Sequence, residues 1–470
     1  MKKFIALLLA MVMLLSLAAC GTTEPAPATD AASNAPAESG KPAESGKPAE
    51  NTPKETITLQ MWGGVQGEYG YDAMVENFNK EFKDKGIQIE YTRYVNDDDG
   101  NLQLETYLMG GDDIDIYMGY GGTDRLFTRI DSGLALDLTD YLKTADFDPI
   151  KELGENNVAG YIYNDKYYAL PTKYENKNWM VVNADMFKAA GIELPLDGWT
   201  YAEFEAAAKK LTSGEGQDKI YGMFWNLNDG WKNAISFVGA TLGKYQTFTD
   251  ETAKATNLND ELWQEGLQLI VASQDDWAIS LEAEKADGLN FNNTFLEGKA
   301  AMASGIYNLR TIKDLEKYPH DFETALVPYP VPTEADLADS WSYSDYPGAG
   351  DLILVNPKSK HIQEAVDFVL WYIQGGMAPL ASGGRIPLWK GFDSNKVIDA
   401  LCQTKGVFNE ESITAYMSVE KTNAYTTITS SADSKIATIK KEEMQAAMLG
   451  QKTVEQACKD MQTRADELLK

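Results

Sequence analysis

Aromatic rings and polar side chains occur together at several points of the chain, beside glycine or in predicted loops. A ring can cover the apolar face of a small molecule, while carboxylate, amide and guanidinium groups bond to its hydroxyls. This is the chemistry of reversible binding to a polyhydroxylated molecule, and it needs no covalent step. The candidate binding residues of this kind are Trp62, Glu68, Tyr69, Tyr117, Tyr120, Trp225, Asn226, Trp231, Trp341, Tyr343 and Arg385.

Each of these residues also has a structural alternative. A tryptophan or tyrosine that follows a strand can equally pack in the core of its domain, and an arginine can be an ordinary surface charge. The chain contains 10 Trp and 24 Tyr, which is enough to supply both a core and a binding site.

The sequence lacks the common catalytic and metal-binding patterns. His320 and His361 are the only histidines, and neither has a partner at metal-ligand spacing. The acidic run at residues 96–100 fails as a calcium loop, because Val95 and Thr106 would occupy the first and last ligand positions. No Gly-x-Ser-x-Gly or Walker loop is present. We therefore expect no catalytic residues, no metal and no cofactor.

One enzymatic alternative remains open from the residues alone. A glycoside hydrolase needs two carboxylates that face the same bond. With 71 acidic residues in the chain, counting cannot exclude such a pair. No segment stands out as its acid and base.

The candidate residues need a scaffold, and the first part of the body alternates strand and helix. Period-two and period-3.6 patterns predict strands at residues 55–62, 87–93 and 114–118 and helices at 71–85 and 101–109. Such alternation indicates a parallel sheet covered by helices. Gly63 and Gly64 end the first strand directly beside Trp62.

A second α/β unit and a helical C-terminus are predicted further along. Thr200 and Glu203 have the spacing of a capping box at the start of a helix that runs through Leu211. The other predicted elements are strands at residues 179–183 and 351–355 and helices at 185–190, 362–374 and within 434–469.

Charge and cysteine content narrow the possible partners. The formal net charge of the 470 residues is -29, so nucleic acid and anionic lipid headgroups are not expected partners. The three cysteines exclude a disulfide-built fold. Whether Cys402 and Cys458 pair is left open by the sequence.

The N-terminus has the pattern of an exported protein. Lys2 and Lys3 precede an apolar run at residues 4–15, and small residues lead to Cys20. This order resembles the bacterial lipobox, which implies cleavage before Cys20, acylation of its thiol and a place on the extracellular face of the cell membrane. Residues 21–53 are rich in Ala, Pro, Glu, Ser and Gly and are predicted to form a disordered tether. A bacterium with a single membrane fits best.

The body resembles the extracellular solute-binding proteins of ABC importers, in their maltose-binding-like form. The segments that carry the resemblance occur in the right order over residues 55–460: ITLQMW at 57–62, DIDIY at 113–117, YYALP at 167–171, WMVVN at 179–183, GIELPLDGWT at 191–200 and FLEGKAAM at 295–302. A charged insertion at residues 172–178 departs from the family pattern.

The resemblance implies a two-lobed α/β fold of the type II periplasmic-binding-protein kind, each lobe a mainly parallel sheet flanked by helices. Residues 54–170 and 327–380 would form lobe 1, and residues 171–326 and 381–470 lobe 2. The chain would cross between the lobes near Lys173, Tyr174 and Glu175, and Tyr307 would also face the cleft.

By the same resemblance, the chain would be a monomer that captures a sugar or oligosaccharide and delivers it to the transmembrane subunits of a permease. A receptor for a polyamine or a peptide is the alternative within this class, since carboxylates around rings would suit a cation.

Overall fold

The computed structural model describes residues 56–111, 113–120, 122–174, 179–228, 247–249, 252–305, 309–338, 350–418 and 432–470. Residues 54–470 form one compact unit. Cys20, the predicted signal peptide and the predicted tether lie outside the described residues. In the described part of the chain, no helix combines the length and the apolar character needed to span a membrane.

Five strands form the first sheet, in the order β2-β1-β3-β11-β6. Strands β1, β2 and β3 are parallel, with Ile57 beside Ile87 and Met61 beside Ile116. Strand β11 runs antiparallel to β3 and β6. Their bounds are Ile57–Gly63 (β1), Ile87–Arg93 (β2), Ile116–Gly119 (β3), Leu170–Lys173 (β6) and Gly350–Val355 (β11). A separate two-stranded sheet pairs Ile162–Tyr163 (β4) with Lys166–Tyr167 (β5).

Four strands form the second main sheet, in the order β10-β7-β9-β8. Strand β7 is antiparallel to both of its neighbours, and β8 is parallel to β9. The bounds are Trp179–Asn183 (β7), Tyr221–Phe224 (β8), Ala300–Ala303 (β9) and Thr324–Pro328 (β10).

Helices cover both main sheets. In chain order, the α-helices of the described residues are Tyr71–Glu81 (α1), Asp98–Gly110 (α2), Gly122–Asp131 (α3), Thr139–Thr144 (α4), Pro149–Leu153 (α5), Glu155–Val158 (α6), Ala184–Ala189 (α7), Tyr201–Leu211 (α8), Glu261–Ser273 (α9), Leu281–Asp287 (α10), Phe291–Thr294 (α11), Leu309–Lys313 (α12), Glu334–Leu337 (α13), Ile362–Trp371 (α14), Asn395–Cys402 (α15), Glu410–Ser418 (α16), Asp433–Met448 (α17) and Val454–Leu468 (α18).

Local sequence explains where several helices begin. The Thr200 side chain accepts a hydrogen bond from the Glu203 backbone, and Glu203 bonds back to Thr200, so the predicted capping box at α8 is confirmed. Helix α2 begins earlier than predicted, because the Asp97 side chain accepts from the backbone N–H of Gly100. The acidic run at residues 96–100 therefore supplies a cap and first turn, where negative charge stabilises a helix.

The elements that the sequence predicts lie within a few residues of strands and helices in the structure, but the sequence overstates how parallel the sheets are. In the first sheet two of the four strand pairs are antiparallel, and in the second sheet two of the three are. The prediction of mainly parallel sheets is wrong. Strand β11 comes from a distant part of the chain and lies antiparallel to β3 and β6, and β10 likewise lies antiparallel to β7. The α/β class itself is confirmed.

Separate hydrophobic clusters underlie the two sheets. One contains Leu59, Phe78 and Ile353 beneath the first sheet, and another contains Met180, Trp225 and Cys458 beneath the second. Cys402 packs beside a third cluster. Cys402 and Cys458 are both free thiols, so the structure excludes the disulfide that the sequence left open.

Candidate functional site

The predicted binding residues of the first half meet at one edge of the first sheet. Parallel strands end at the same edge, so Trp62 in β1 and Tyr120 after β3 lie there. Strand β11 runs the other way and begins at this edge, where Gly350 pairs with Lys173 at the end of β6. This edge, from here on called the open edge, therefore also holds Asp351.

An ion pair lies at the open edge. The Arg385 Nε donates to the Asp351 Oδ2 over 2.6 Å, and only 16% and 9% of the two side chains are exposed. The Asp351 backbone is held in the left-handed region with a φ of 51°, and its carbonyl accepts a hydrogen bond from Thr172 Oγ1 at 2.8 Å. A positive φ outside glycine is uncommon and is found preferentially at functional sites.

Four tyrosines surround this pair. The rings of Tyr71 and Tyr91 stack with centroids 4.3 Å apart, and the hydroxyls of Tyr71 and Tyr372 lie 3.4 Å from each other. The Tyr120 hydroxyl accepts a hydrogen bond from the backbone N–H of Gly64. Burial raises the pKa of all four tyrosines, and the negative charge of Asp351 adds to this increase. The hydroxyls thus stay neutral donors and acceptors at physiological pH.

Glycines allow this close packing. A Cβ at Gly64 would lie 2.9 Å from the Tyr120 ring, and one at Gly63 would lie 2.8 Å from the Tyr91 hydroxyl. Any larger residue would force the rings away from the strand end. Gly63 and Gly64, at the end of β1, therefore allow the rings of Tyr91 and Tyr120 to pack against the backbone at the open edge.

The chain crosses between the two sheets beside the ion pair. The Tyr174 N–H donates to the Ile386 carbonyl, and the Leu388 N–H donates to the Thr172 carbonyl, each over 3.0 Å. These bonds make a short antiparallel ribbon whose centre is the bridge between Lys173 and Pro387. Strand β6 belongs to the first sheet and β7, the next strand in the chain, to the second. This ribbon therefore lies at the junction of the two sheets.

A small cavity of about 320 Å³ opens next to this junction. It is lined by the 3-10 turn at Gly67–Tyr69, by helix α12 and by the turn before Arg385, with Glu68, Tyr69, Arg310, Lys313, Asp314, Ser382 and Gly383 as lining residues. The Arg310 guanidinium lies over the Tyr69 ring, 5.2 Å from its centroid. A larger groove of about 990 Å³ runs along α1 and α14, and none of the predicted binding residues lines it. We place the candidate site at the open edge because the rings and charged groups converge there.

Other predicted residues are distributed differently. Trp62 is half-buried and packs edge-on against Tyr107, with centroids 5.3 Å apart, while Glu68 is exposed. Tyr117 is fully buried, and its hydroxyl donates to the Leu134 carbonyl. Trp225 is also fully buried and donates from its indole to Ser273 Oγ. For Tyr117 and Trp225 the core alternative is correct, because neither ring has surface left for a solute.

Asn226 follows Trp225 at the end of β8, half-buried and with a φ of 55°. It therefore lies at the end of a strand of the second sheet and not at the open edge. Five further predicted residues lie outside the described residues, namely Glu175, Trp231, Tyr307, Trp341 and Tyr343.

Sequence reasoning missed Asp351 and three of the tyrosines. Asp351 directly follows the Gly-rich turn at residues 348–350 and is the first polar residue of an otherwise apolar strand, which was the available signal. Tyr71, Tyr91 and Tyr372 belong to elements with regular hydrophobic patterns, and nothing in those patterns separates them from core residues. The described residues contain no group of three or more His, Cys, Asp or Glu side chains that could hold a metal ion.

Comparison with known proteins gives consistent results. A sequence model described as bacterial extracellular solute-binding protein matches residues 64–374. A sugar transporter structure from Rhizobium etli in an open conformation has a TM-score of 0.67 and 22% identity, covering 88% of this chain and 100% of that one. An ABC substrate-binding protein from Listeria monocytogenes in complex with cycloalternan has a TM-score of 0.62 and 19% identity, covering 88% and 99%. A sugar-binding protein from Xanthomonas citri has a TM-score of 0.61 and 16% identity, covering 88% and 97%.

Proposed function

Because the chain belongs to the bacterial extracellular solute-binding proteins, we propose that it captures a sugar or oligosaccharide and delivers it to an ABC permease. The observation that carries this proposal is the convergence of half-buried rings and a charged pair at the open edge. Rings can cover sugar faces, and the neighbouring polar groups can bond to hydroxyls. The similar protein from Listeria monocytogenes, whose structure contains cycloalternan, supports a carbohydrate as the class of solute.

The site would use residues from both sides of the junction. Trp62, Tyr69 and Tyr120 would face the solute from the first sheet, and Lys173, Tyr174 and Arg385 would contribute from the crossing segments. Glu68 would lie at the rim. The roles of Asn226, at a strand end of the second sheet, and of the predicted residues outside the described range stay predictions. Closure of two lobes over the solute would then exclude water from these contacts. The assignment of residues 54–170 and 327–380 to lobe 1, and of 171–326 and 381–470 to lobe 2, stays a prediction.

The mature protein would be held at the cell surface by acylated Cys20 and would reach the permease through the tether. A tether at residues 21–53 could extend on the order of 100 Å. Capture and delivery need no chemical step, so we propose that the protein acts without enzymatic turnover. The monomeric state stays a prediction.

The test is a binding screen with the mature chain, residues 20–470. Thermal-shift measurements across neutral oligosaccharides, spermidine and short peptides should show stabilisation by at least one sugar, because a ligand that binds the native state stabilises it. Calorimetry should then give saturable binding. Stabilisation by spermidine or peptides alone would move the proposal to the non-sugar alternative, and release of shorter sugars would overturn the receptor assignment in favour of a glycoside hydrolase.

A further inference from the structure

Asp351 and Arg385 both have unused hydrogen-bonding capacity at the open edge. Among the described residues, Asp351 Oδ2 bonds to Arg385 Nε, and neither Asp351 Oδ1 nor the two Nη atoms of Arg385 has a hydrogen-bond partner. The Asp351 side chain is only 9% exposed. Neither Asp351 Oδ1 nor an Arg385 Nη is among the fully enclosed atoms without a partner, so these atoms are open to solvent and can bond to a captured molecule.

Two other poorly exposed charged groups, Arg129 and Glu443, use more of their hydrogen-bonding capacity within the protein. Arg129 is almost fully buried and bonds through all three nitrogens, to Glu105, Asn101 and the Tyr120 carbonyl. Glu443 uses one oxygen for Lys452 and the other for Arg464. In the pair at the open edge, by contrast, both the carboxylate and the guanidinium have atoms without a hydrogen-bond partner among the described residues.

The surroundings of the pair favour an uncharged partner. The carboxylate and the guanidinium together carry no net charge, and the four neighbouring tyrosine hydroxyls are neutral. An ammonium group could bond to Asp351, but it would be repelled by Arg385 at close range. A carboxylate group would meet the reverse problem. A hydroxyl can both donate and accept, so two neighbouring hydroxyls can satisfy Asp351 Oδ1 and an Arg385 Nη together.

We propose that Asp351 and Arg385 are the specificity-determining contact of the solute site and select a neutral, polyhydroxylated solute over charged analogues. One solute hydroxyl donates to Asp351 Oδ1, and its neighbour accepts from Arg385 Nη. This inference rests on the proposed function, since it assigns a role within the same site. The Asp351 backbone is held at a φ of 51°, a conformation that is uncommon outside glycine and is found preferentially at functional sites.

The experiment compares the mature chain with Asp351→Asn and Arg385→Gln in calorimetric titrations. The probes are maltotriose, mannotriose and cycloalternan as neutral sugars, trigalacturonate as an anion and a glucosamine trimer as a cation. The wild type should bind at least one neutral probe and neither charged one. Each variant should bind that neutral probe at least tenfold more weakly. Asp351→Asn leaves a cation and should gain affinity for trigalacturonate, whereas Arg385→Gln leaves an anion and should gain affinity for the glucosamine trimer.

Controls separate this inference from folding and from the proposed function. Asp137→Asn breaks an ion pair with Lys166 of the separate β4–β5 sheet and should bind as the wild type does. If Asp351→Asn fails to fold, Asp351→Glu keeps the charge and should also weaken binding at least tenfold. Wild-type affinity for the neutral probe in both charge variants would overturn the inference and leave the proposed function standing. A wild type that binds only charged probes would overturn both.

Discussion

Two opposite edges of the first sheet each carry one poorly exposed aspartate, but the two carboxylates are used in different ways. Asp115 precedes β3 and is 2% exposed. Its Oδ2 accepts from the Gln60 N–H over 2.8 Å, and its Oδ1 accepts from Ser359 Oγ. Asp351 is the second residue of β11 and lies at the open edge. Only one of its carboxylate oxygens has a hydrogen-bond partner among the described residues.

The difference teaches that the bonding of a buried carboxylate is more informative than its burial. Asp115 joins the start of β3 to β1 and to the turn after β11, where the Asn356 N–H also donates to its carbonyl. All of its bonds are within the protein, so it acts as a structural connection. Asp351 is also placed to join distant segments, but only its Oδ2 does so, through Arg385. Its Oδ1 remains available to bond to another molecule.

The largest effect is expected for Asp115→Ala. Removing this buried carboxylate leaves the half-buried Gln60 N–H and Ser359 hydroxyl without their acceptor, so the free energy of unfolding should fall by about 2 kcal/mol. Urea unfolding followed by circular dichroism measures this loss. Affinity for solute, measured on the folded protein, should stay as in the wild type. A variant with unchanged stability and lost binding would reverse the roles of the two aspartates.

The tyrosines of the open edge predict a smaller, alkaline effect. Burial raises the pKa of Tyr91 in the native state, whereas in the unfolded chain it titrates near its ordinary value of about 10. The unfolded state therefore loses the proton first. The stability from this group is fully present below pH 10 and is lost as the pH rises further.

Tyr91→Phe removes this titrating hydroxyl and should reduce the alkaline loss of stability by about 1 kcal/mol between pH 10 and pH 11, since the unfolded tyrosine is only half ionised at pH 10. Its lost hydrogen bond to the Val65 carbonyl lowers stability equally at every pH and does not affect the slope. Urea unfolding from pH 8 to pH 11 gives the comparison. Parallel pH profiles for the variant and the wild type would contradict the assignment of a neutral, buried hydroxyl.

The smallest effect is expected at the ion pair between Asp137 and Lys166 of the separate β4–β5 sheet. Asp137 and Lys166 lie 2.7 Å apart, with half of the lysine side chain exposed. Desolvation acts to raise the pKa of Asp137, but hydrogen bonds from Lys166 and Thr139 outweigh it and lower the pKa.

Asp137→Asn should therefore cost about 0.5 kcal/mol or less at pH 7. This contribution is present above the ordinary aspartate pKa and is lost as the pH falls through the lowered pKa, so the stabilities of wild type and variant should converge at pH values below that lowered pKa. Acid titration of the unfolding midpoint measures it. A loss of stability above about 2 kcal/mol would contradict the assignment of this ion pair as a weak surface interaction.

The sequence was informative wherever function and local pattern coincide. Trp62, Gly63 and Gly64 stand at a strand end that hydrophobic alternation alone locates, and Arg385 follows a pair of glycines. Trp225 was misassigned for a physical reason, since a ring next to amides looks the same in sequence whether it faces solvent or a core. Exposure is decided by elements far away in the chain, in this case by Ser273 and the helix that carries it.

Local composition by itself determined the order of strands and helices, the cap of α8, the acidic surface and the resemblance to the solute-binding family. The strands, the helices and the cap depend on residues within about one helix turn or strand of each other. The charge and the resemblance depend on the whole chain, but on no three-dimensional contact. Only the tertiary structure decided that Asp351 meets Arg385, that four tyrosines from distant elements surround them, and that β11 runs antiparallel. Those contacts join segments that are separated by tens to hundreds of residues, and no local pattern encodes which of many acidic residues will be left half-bonded at the junction of two sheets.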